Sequence, residues 1–289
     1  MADAHILQTT PATLEVTFYA DGTPAADSPV TVGVTRADGT DLVPPGTATT
    51  PGGTGVYRFA LTQAHTAELN RLKATWTGAT QTHRTWAEVV GAHLYTIADA
   101  RAYVLAGKTP LAATPQADLT SVRAEVTDDF ADRGPVSVER FVRETHDGDN
   151  GCALPLREGL PLKVLSVTID GVAQALTGDF FLRPGAVLER KRGGWFPATQ
   201  PQNITVEYVH GYPRVPPAIR RAALIRTVSI LNPSLAALTV SGWTAPDGTT
   251  YSYDRTGQAR GGYVNHYANP AVDGPLNWYG RSASVLGFA

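Results

Sequence analysis

Gly107-Lys108-Thr109 has the ending of a phosphate-binding loop, where backbone N–H groups cradle phosphates and the lysine neutralises them. That motif needs a glycine at position 102, where this chain has Ala102, and a helix after it. Here a helical pattern comes before it and Pro110 comes after, so Gly107 reads as a helix C-cap. Asp147, Asp149 and Glu158 stand at the first, third and twelfth positions of a calcium loop. The fifth position is Gly151, the sixth is Cys152, and no helical pattern flanks them. A polar β-hairpin tip is the better reading. Seven histidines are dispersed without a His-x-x-x-His pair, so a zinc site would have to be gathered from distant loops. No Gly-x-Ser-x-Gly occurs, and Cys152 lacks any protease context. Asp128-Asp129 falls on the polar face of a helical pattern. The expectation is a protein with no catalytic, cofactor or metal residues.

Two other groups point to contacts rather than reactions. Arg190-Lys191-Arg192-Gly193-Gly194-Trp195 is the one basic cluster. It reads either as a contact with a channel or neighbouring chain, or as a solvated hairpin turn with Trp195 packed beneath. Trp243, Tyr251, Tyr253, Tyr263, Tyr267, Trp278 and Tyr279 crowd a glycine-rich C-terminal stretch with few aliphatic residues. A segment that aromatic is not a typical disordered tail. It also lacks the aliphatic side chains for its own core, so these residues read as an interface with a partner.

Charge is spread thinly. Five basic and eight acidic residues leave 1–92 at −3, while 93–235 carries +1 and 236–289 carries zero. No segment is basic enough to neutralise many phosphates. There is no apolar run of membrane-spanning length, and Met1–His5 lacks the basic start of a signal peptide. One cysteine excludes an intrachain disulfide and fits a reducing compartment.

The elements that must carry these residues divide the chain in three. From 1 to 92, Leu14, Val16 and Phe18, then Val30, Val32 and Val34, alternate with polar residues between Asp-Gly turns. About six strands, with Pro44–Gly55 as a loop, predict an immunoglobulin-like β-sandwich. Near Gly91-Ala92 the period changes from two to 3.6. Thr96 with Asp99 forms a capping box for a helix ending at Gly107. A second helix places Leu119, Val122, Val126 and Phe130 on one face and stops at Gly134-Pro135. Strands follow at 136–145, 162–169, 179–183, 186–190 and 203–209, and a helix from Pro217 to about Leu231 closes the 93–235 unit as α+β. The segment 236–289 reads as an extended arm.

The string Val206 to Leu224 is the most specific in the chain. A strand ends at Gly211-Tyr212, a proline-stiffened turn follows, and Val215-Pro216-Pro217-Ala218-Ile219-Arg220-Arg221-Ala222-Ala223-Leu224 opens the helix. This order resembles the head–tail connector (adaptor) proteins of tailed double-stranded-DNA bacteriophages, with the similarity covering about 93–289. The resemblance implies a structural virion protein, assembled in the host cytoplasm into the neck of the particle. It implies a homo-oligomeric ring, a dodecamer, between the portal protein and a tail-side completion or terminator protein. DNA would pass through the lumen without sequence-specific binding, and no membrane is involved. The 1–92 sandwich would then be a peripheral addition. The rival expectation is a carbohydrate-binding or adhesion β-module whose aromatics stack on sugars.

Overall fold

The structure is a computed structural model that describes residues 4–105, 108–133, 136–191, 194–232, 242–244, 250–252 and 270–285. It is a β-rich fold of two compact units with several sheets and a few helices. Unit 1 runs to Gly91 and takes in Arg140–Arg143; unit 2 holds 92–139 and everything from Glu144 onward.

Unit 1 contains ten strands: β1 Ala4–Leu7, β2 Ala12–Thr17, β3 Tyr19–Ala20, β4 Thr23–Pro24, β5 Thr31–Thr35, β6 Asp41–Ala48, β7 Thr50–Gly53, β8 Val56–Leu61, β9 Asn70–Thr77 and β10 Thr82–Val90. They form a five-stranded sheet, β1-β10-β9-β5-β6, and a three-stranded sheet, β2-β8-β7, with β3 and β4 as a small ribbon. The alternation seen in the sequence places Leu14, Val16, Val32, Val34, Leu72 and Trp76 in one core shared by both sheets. Trp76 is fully buried, and its indole N–H reaches Thr85 Oγ1 at 2.9 Å. Buried Asp27 accepts N–H bonds from Thr80 and Gln81, which ties the β9–β10 turn down.

The expected loop at 44–55 is instead parts of β6 and β7. Both are edge strands, the one place in a sheet where the missing N–H of Pro44, Pro45 and Pro51 costs no ladder bond. Gly33 on the neighbouring β5 answers that choice, because a Cβ there would meet Pro45 Cα at 2.9 Å.

Unit 2 opens with α1, Ile97–Ala102, and α2, Gln116–Arg133. The α1 capping box is present, with Thr96 and Asp99 each bonding the other's backbone N–H at 3.0 Å. The helix stops well before Gly107, at an extended Tyr103. Only Ala100 of α1 is buried, so there is no apolar face to carry it further. On α2, Leu119, Val122, Val126 and Phe130 are all buried.

The β-rich middle follows: β11 Arg140–His146, β12 Ala153–Pro155, β13 Pro161–Ile169, β14 Val172–Ala173, β15 Phe180–Arg183, β16 Val187–Arg190 and β17 Ile204–His210. They make a four-stranded sheet, β11-β17-β13-β14, and a three-stranded sheet, β12-β16-β15. α3, Pro217–Leu231, packs against α2. The ribbon β18 Gly242–Thr244 and β19 Thr250–Ser252 comes next, and then α4, Pro270–Val285.

This last helix corrects the expected extended arm. Val272, Asp273 and Leu276 are buried, and α4 lies against α3 within the same unit. Val272 and Leu276 stand one turn apart, which puts them on one helical face.

Candidate functional site

The site grows from β17. It is a central strand of its sheet, and Ile204, Val206, Tyr208, Val209 and His210 are all buried. Tyr208 brings a hydroxyl into that interior. Its oxygen accepts the Glu158 N–H at 3.1 Å, and the group also bonds the Glu144 carboxylate. Burial, with the charge of Glu144 beside it, pushes the Tyr208 phenol far above its ordinary range. Glu144 also accepts the Arg157 N–H at 3.2 Å, and His146 Nε2 lies 2.9 Å from its Oε1. This buried polar knot fastens the loop before β13 to β17.

The chain then turns sharply at Gly211, with φ +100°. The turn is closed on three sides: Gly211 N–H donates to Leu160 O, Tyr212 N–H donates to Ser137 O, and a Cβ on Gly211 would meet Val138 O at 2.2 Å. Only glycine fits both the angle and the space. Pro216 takes the N-cap position without a side-chain cap bond, and Pro217 sits where a helix does not need its N–H. Ile219, Ala222, Ala223 and Val228 of α3 are fully buried, and they lie on more than one side of the helix.

One hydrogen bond fixes the far end. The Tyr95 hydroxyl lies 2.7 Å from Thr227 Oγ1. Thr227 gives its own proton to Ala223 O at 2.9 Å, so Tyr95 is the donor. Arg123 NH1 donates to Tyr95 O at 3.4 Å. Burial raises the Tyr95 phenol and lowers the Arg123 guanidinium from their ordinary values.

Between the segment before α1 and the proline turn lies an open cavity of about 500 Å³. Leu94, Tyr95, Val215, Pro216 and Pro217 line it, with His93, Asp99, Arg214 and Arg220 as its polar groups. Arg220 approaches Asp99 at 4.0 Å with both side chains well exposed, a contact worth little in water. The Thr96 backbone N–H holds the Asp99 carboxyl below its usual range, helped by the Thr96 hydroxyl and Arg220. Arg214 is exposed and makes no ion pair among the described residues. Among the described residues, the groove's lining sets no nucleophile beside a base.

The sequence-predicted interface residues fall in three places. Trp243 and Tyr251 are cross-strand partners in the β18–β19 ribbon. Tyr253, Tyr263 and Tyr267 lie outside the described residues. Trp278 and Tyr279 are half-buried on α4. The Tyr279 ring meets Tyr212 edge-on at 6.0 Å, and its carbonyl accepts the Tyr212 hydroxyl at 3.4 Å. The turn that launches α3 thus also holds α4.

In the basic cluster, Arg190 is drawn inward. It donates to Trp195 O at 2.9 Å and lies 5.6 Å from the Phe180 ring centre. Lys191 is exposed, 5.4 Å from the Phe181 ring centre, and Arg192 lies outside the described residues. Trp195 does not pack beneath the turn. It is 60% exposed, and its neighbour Phe196 takes the buried place. The Asp147 and Asp149 carboxylates accept backbone N–H bonds from Gln202 and Gly151, as loop-tip carboxylates do.

Among the described residues no helix is long and apolar enough to cross a membrane. No family model matches the chain, and no curated protein matches it. Among solved structures, it is similar to a chimeric titin Z1Z2 functionalized with a KLER exogenous peptide from decorin. Identity is 11% over 73% of this chain and 80% of that one, with a TM-score of 0.20. A similarity that low carries no argument about fold or function.

Proposed function

We propose that this chain is a structural virion protein, a head–tail adaptor that forms a ring below the portal and prolongs the DNA channel toward the tail. The observation that carries the reading is the corner from β17 through Gly211 and Pro216-Pro217 to α3. A central strand leads into a helix that packs against both α2 and α4. Such a corner is rigid, and it presents the open groove with Arg214 and Arg220 at the start of α3. Rigid docking surfaces suit a head-to-tail interface, which closes into a ring only at a fixed rotation per subunit.

The 93–235 region and α4 would form the ring body, and half-buried Trp278 would contact the portal or the adjacent subunit. The work is mechanical and depends on assembly. A sugar-binding reading of the C-terminal aromatics has less support, because Trp278 and Tyr279 are partly covered within their own unit.

The experiment is light scattering of the purified chain, alone and with portal rings, followed by imaging. A ring of fixed copy number, or a stable portal complex, is expected. A chain that stays monomeric at high concentration and ignores the portal would overturn the reading.

A further inference from the structure

Unit 1 has a surface that its own fold does not require. On β9, Leu72, Ala74 and Trp76 enter the core, so Arg71, Lys73, Thr75 and Thr77 point outward. On β10, Ala87 and Val89 are buried and His83 packs edge-on against Phe18. Thr82, Arg84 and Trp86 therefore share the outward face. The register sets Trp86 opposite Lys73 and Arg84 opposite Thr75. β5 continues the face with Thr31 and Thr35 opposite Thr77 and Lys73.

Arg71 stands about 6.5–7 Å from Lys73 along the strand, and Arg84 about 7–8 Å from it on the diagonal. None of the three makes an ion pair among the described residues. The next outward position on β10 is Glu88, which the register sets opposite Arg71. It is buried and bonded to Arg140 and His5, so Lys73 and Arg84 are the cations with no acid opposite them. The nearest strand-borne acid toward the sheet edge is Asp41, opposite Thr35 and so two strands from Lys73. Like charges gathered on one sheet face repel, and they add nothing to the core. They are also segregated within a region of net charge −3. Beside them the Trp86 indole is 36% exposed, with the Arg71 guanidinium 4.9 Å from its ring centre.

We propose that this face binds an acidic polysaccharide, with Arg71, Lys73 and Arg84 taking its carboxylates and Trp86 packing against the C–H face of a sugar ring. A flat, two-stranded surface of cations, threonine hydroxyls and one indole matches an extended chain that is apolar on its ring faces and charged at intervals. Duplex DNA fits less well. Its grip comes from many neutralised phosphates, and three cations on an otherwise acidic region supply few. The proposal does not rest on the adaptor reading, since the two involve different units.

The test uses the full chain in affinity electrophoresis with three probes: polygalacturonate, neutral dextran of similar length and a short DNA duplex. Polygalacturonate should retard the protein, the effect should fade as salt rises to about 0.5 M, and dextran should not retard it. The double variant K73Q/R84Q should weaken binding about tenfold or more, a loss of about 1.4 kcal/mol, with an unchanged thermal melt. R214Q, in the other unit, should bind as the parent does. Trp86→Ala should weaken binding at low salt although it removes no charge, a loss that charge alone does not explain. The proposal is overturned if polygalacturonate fails to bind, if DNA binds as well, or if K73Q/R84Q binds like the parent.

Discussion

The Tyr95 hydroxyl donates to Thr227 Oγ1 at 2.7 Å across 132 residues of chain, with both residues buried. Tyr95 stands just before the Thr96 cap of α1, and Thr227 is in the last third of α3. One hydrogen bond thus joins the first element of unit 2 to the helix that closes its β-rich middle, beside the groove. Its partners are unequal. Without the tyrosine hydroxyl, Thr227 loses an accepted bond; without the threonine, a phenol proton is stranded in the interior.

Replacing either partner should expose that asymmetry. Tyr95→Phe should cost about 1 kcal/mol, and Thr227→Ala up to about 3 kcal/mol, because an unsatisfied buried donor bears its full desolvation penalty. The double variant Y95F/T227A should lose less than the sum, since the two groups are directly coupled. Urea unfolding at neutral pH measures all three.

Gly211→Ala tests the turn. The φ of +100° and the approach of Val138 O act together, so the loss should exceed the roughly 1–3 kcal/mol of backbone strain alone. Gly22 has φ +78° but open space around it. Gly22→Ala should therefore cost only about 1 kcal/mol. Chemical denaturation compares the two, and equal losses would show that the carbonyl contact at Gly211 is relieved cheaply.

The contrast between these positions also marks what could be read in the sequence. The corner was legible because Gly211, Pro216 and Pro217 each have one local meaning, and the capping box at Thr96 and Asp99 needs only neighbouring residues. The α2 face was legible from Leu119, Val122, Val126 and Phe130. β6 and β7 were not, since Pro44, Pro45 and Pro51 look like a loop unless the edge position is known. Helix α4 was hidden by Gly274 and Pro275, which interrupt the pattern around Val272 and Leu276. Whether Trp195 or Phe196 turns inward depends on a strand they do not belong to. The bonds of Tyr95 to Thr227 and of Tyr208 to Glu144 join residues far apart in the chain, and no local pattern announces them.

Glu88 gives a pH dependence. Burial alone would raise its carboxyl, but hydrogen bonds from His5 and Arg140, with their charges, outweigh that and leave it below its ordinary value. A carboxylate with a depressed folded pKa adds stability above its unfolded pKa of about 4.3, and that stability is lost as pH falls through the folded value. Acidification from neutral pH through the carboxylate range should therefore lower the urea midpoint of the parent. Glu88→Gln should be less stable at neutral pH and show a flatter slope below about pH 5. Parallel slopes would remove Glu88 as a source of the acid sensitivity.

Leu276 tests where α4 belongs. It is 1% exposed, on the helix face that carries buried Val272. Leu276→Ala should cost about 2–4 kcal/mol, the range for emptying a buried leucine site. It should also make 270–285 sensitive to protease in the free chain, where the parent is protected. Equal cleavage of parent and variant would mean that α4 adds little to the isolated subunit.

Trp278 separates folding from assembly on the same helix. It is half-buried, whereas Leu276 is committed to the interior. If α4 presents Trp278 to the portal or to the next subunit, Trp278→Ala should leave the urea midpoint nearly unchanged. Docking should weaken by about 2 kcal/mol or more, the scale of an aromatic anchor at an interface centre. In an infected cell the same variant should yield DNA-filled heads that fail to join tails. A variant that unfolds like Leu276→Ala would show that Trp278 serves the subunit's own packing. A stable variant that builds normal tailed particles would remove Trp278 from the interface, and with it the expectation that aromatic anchors on α4 carry the assembly.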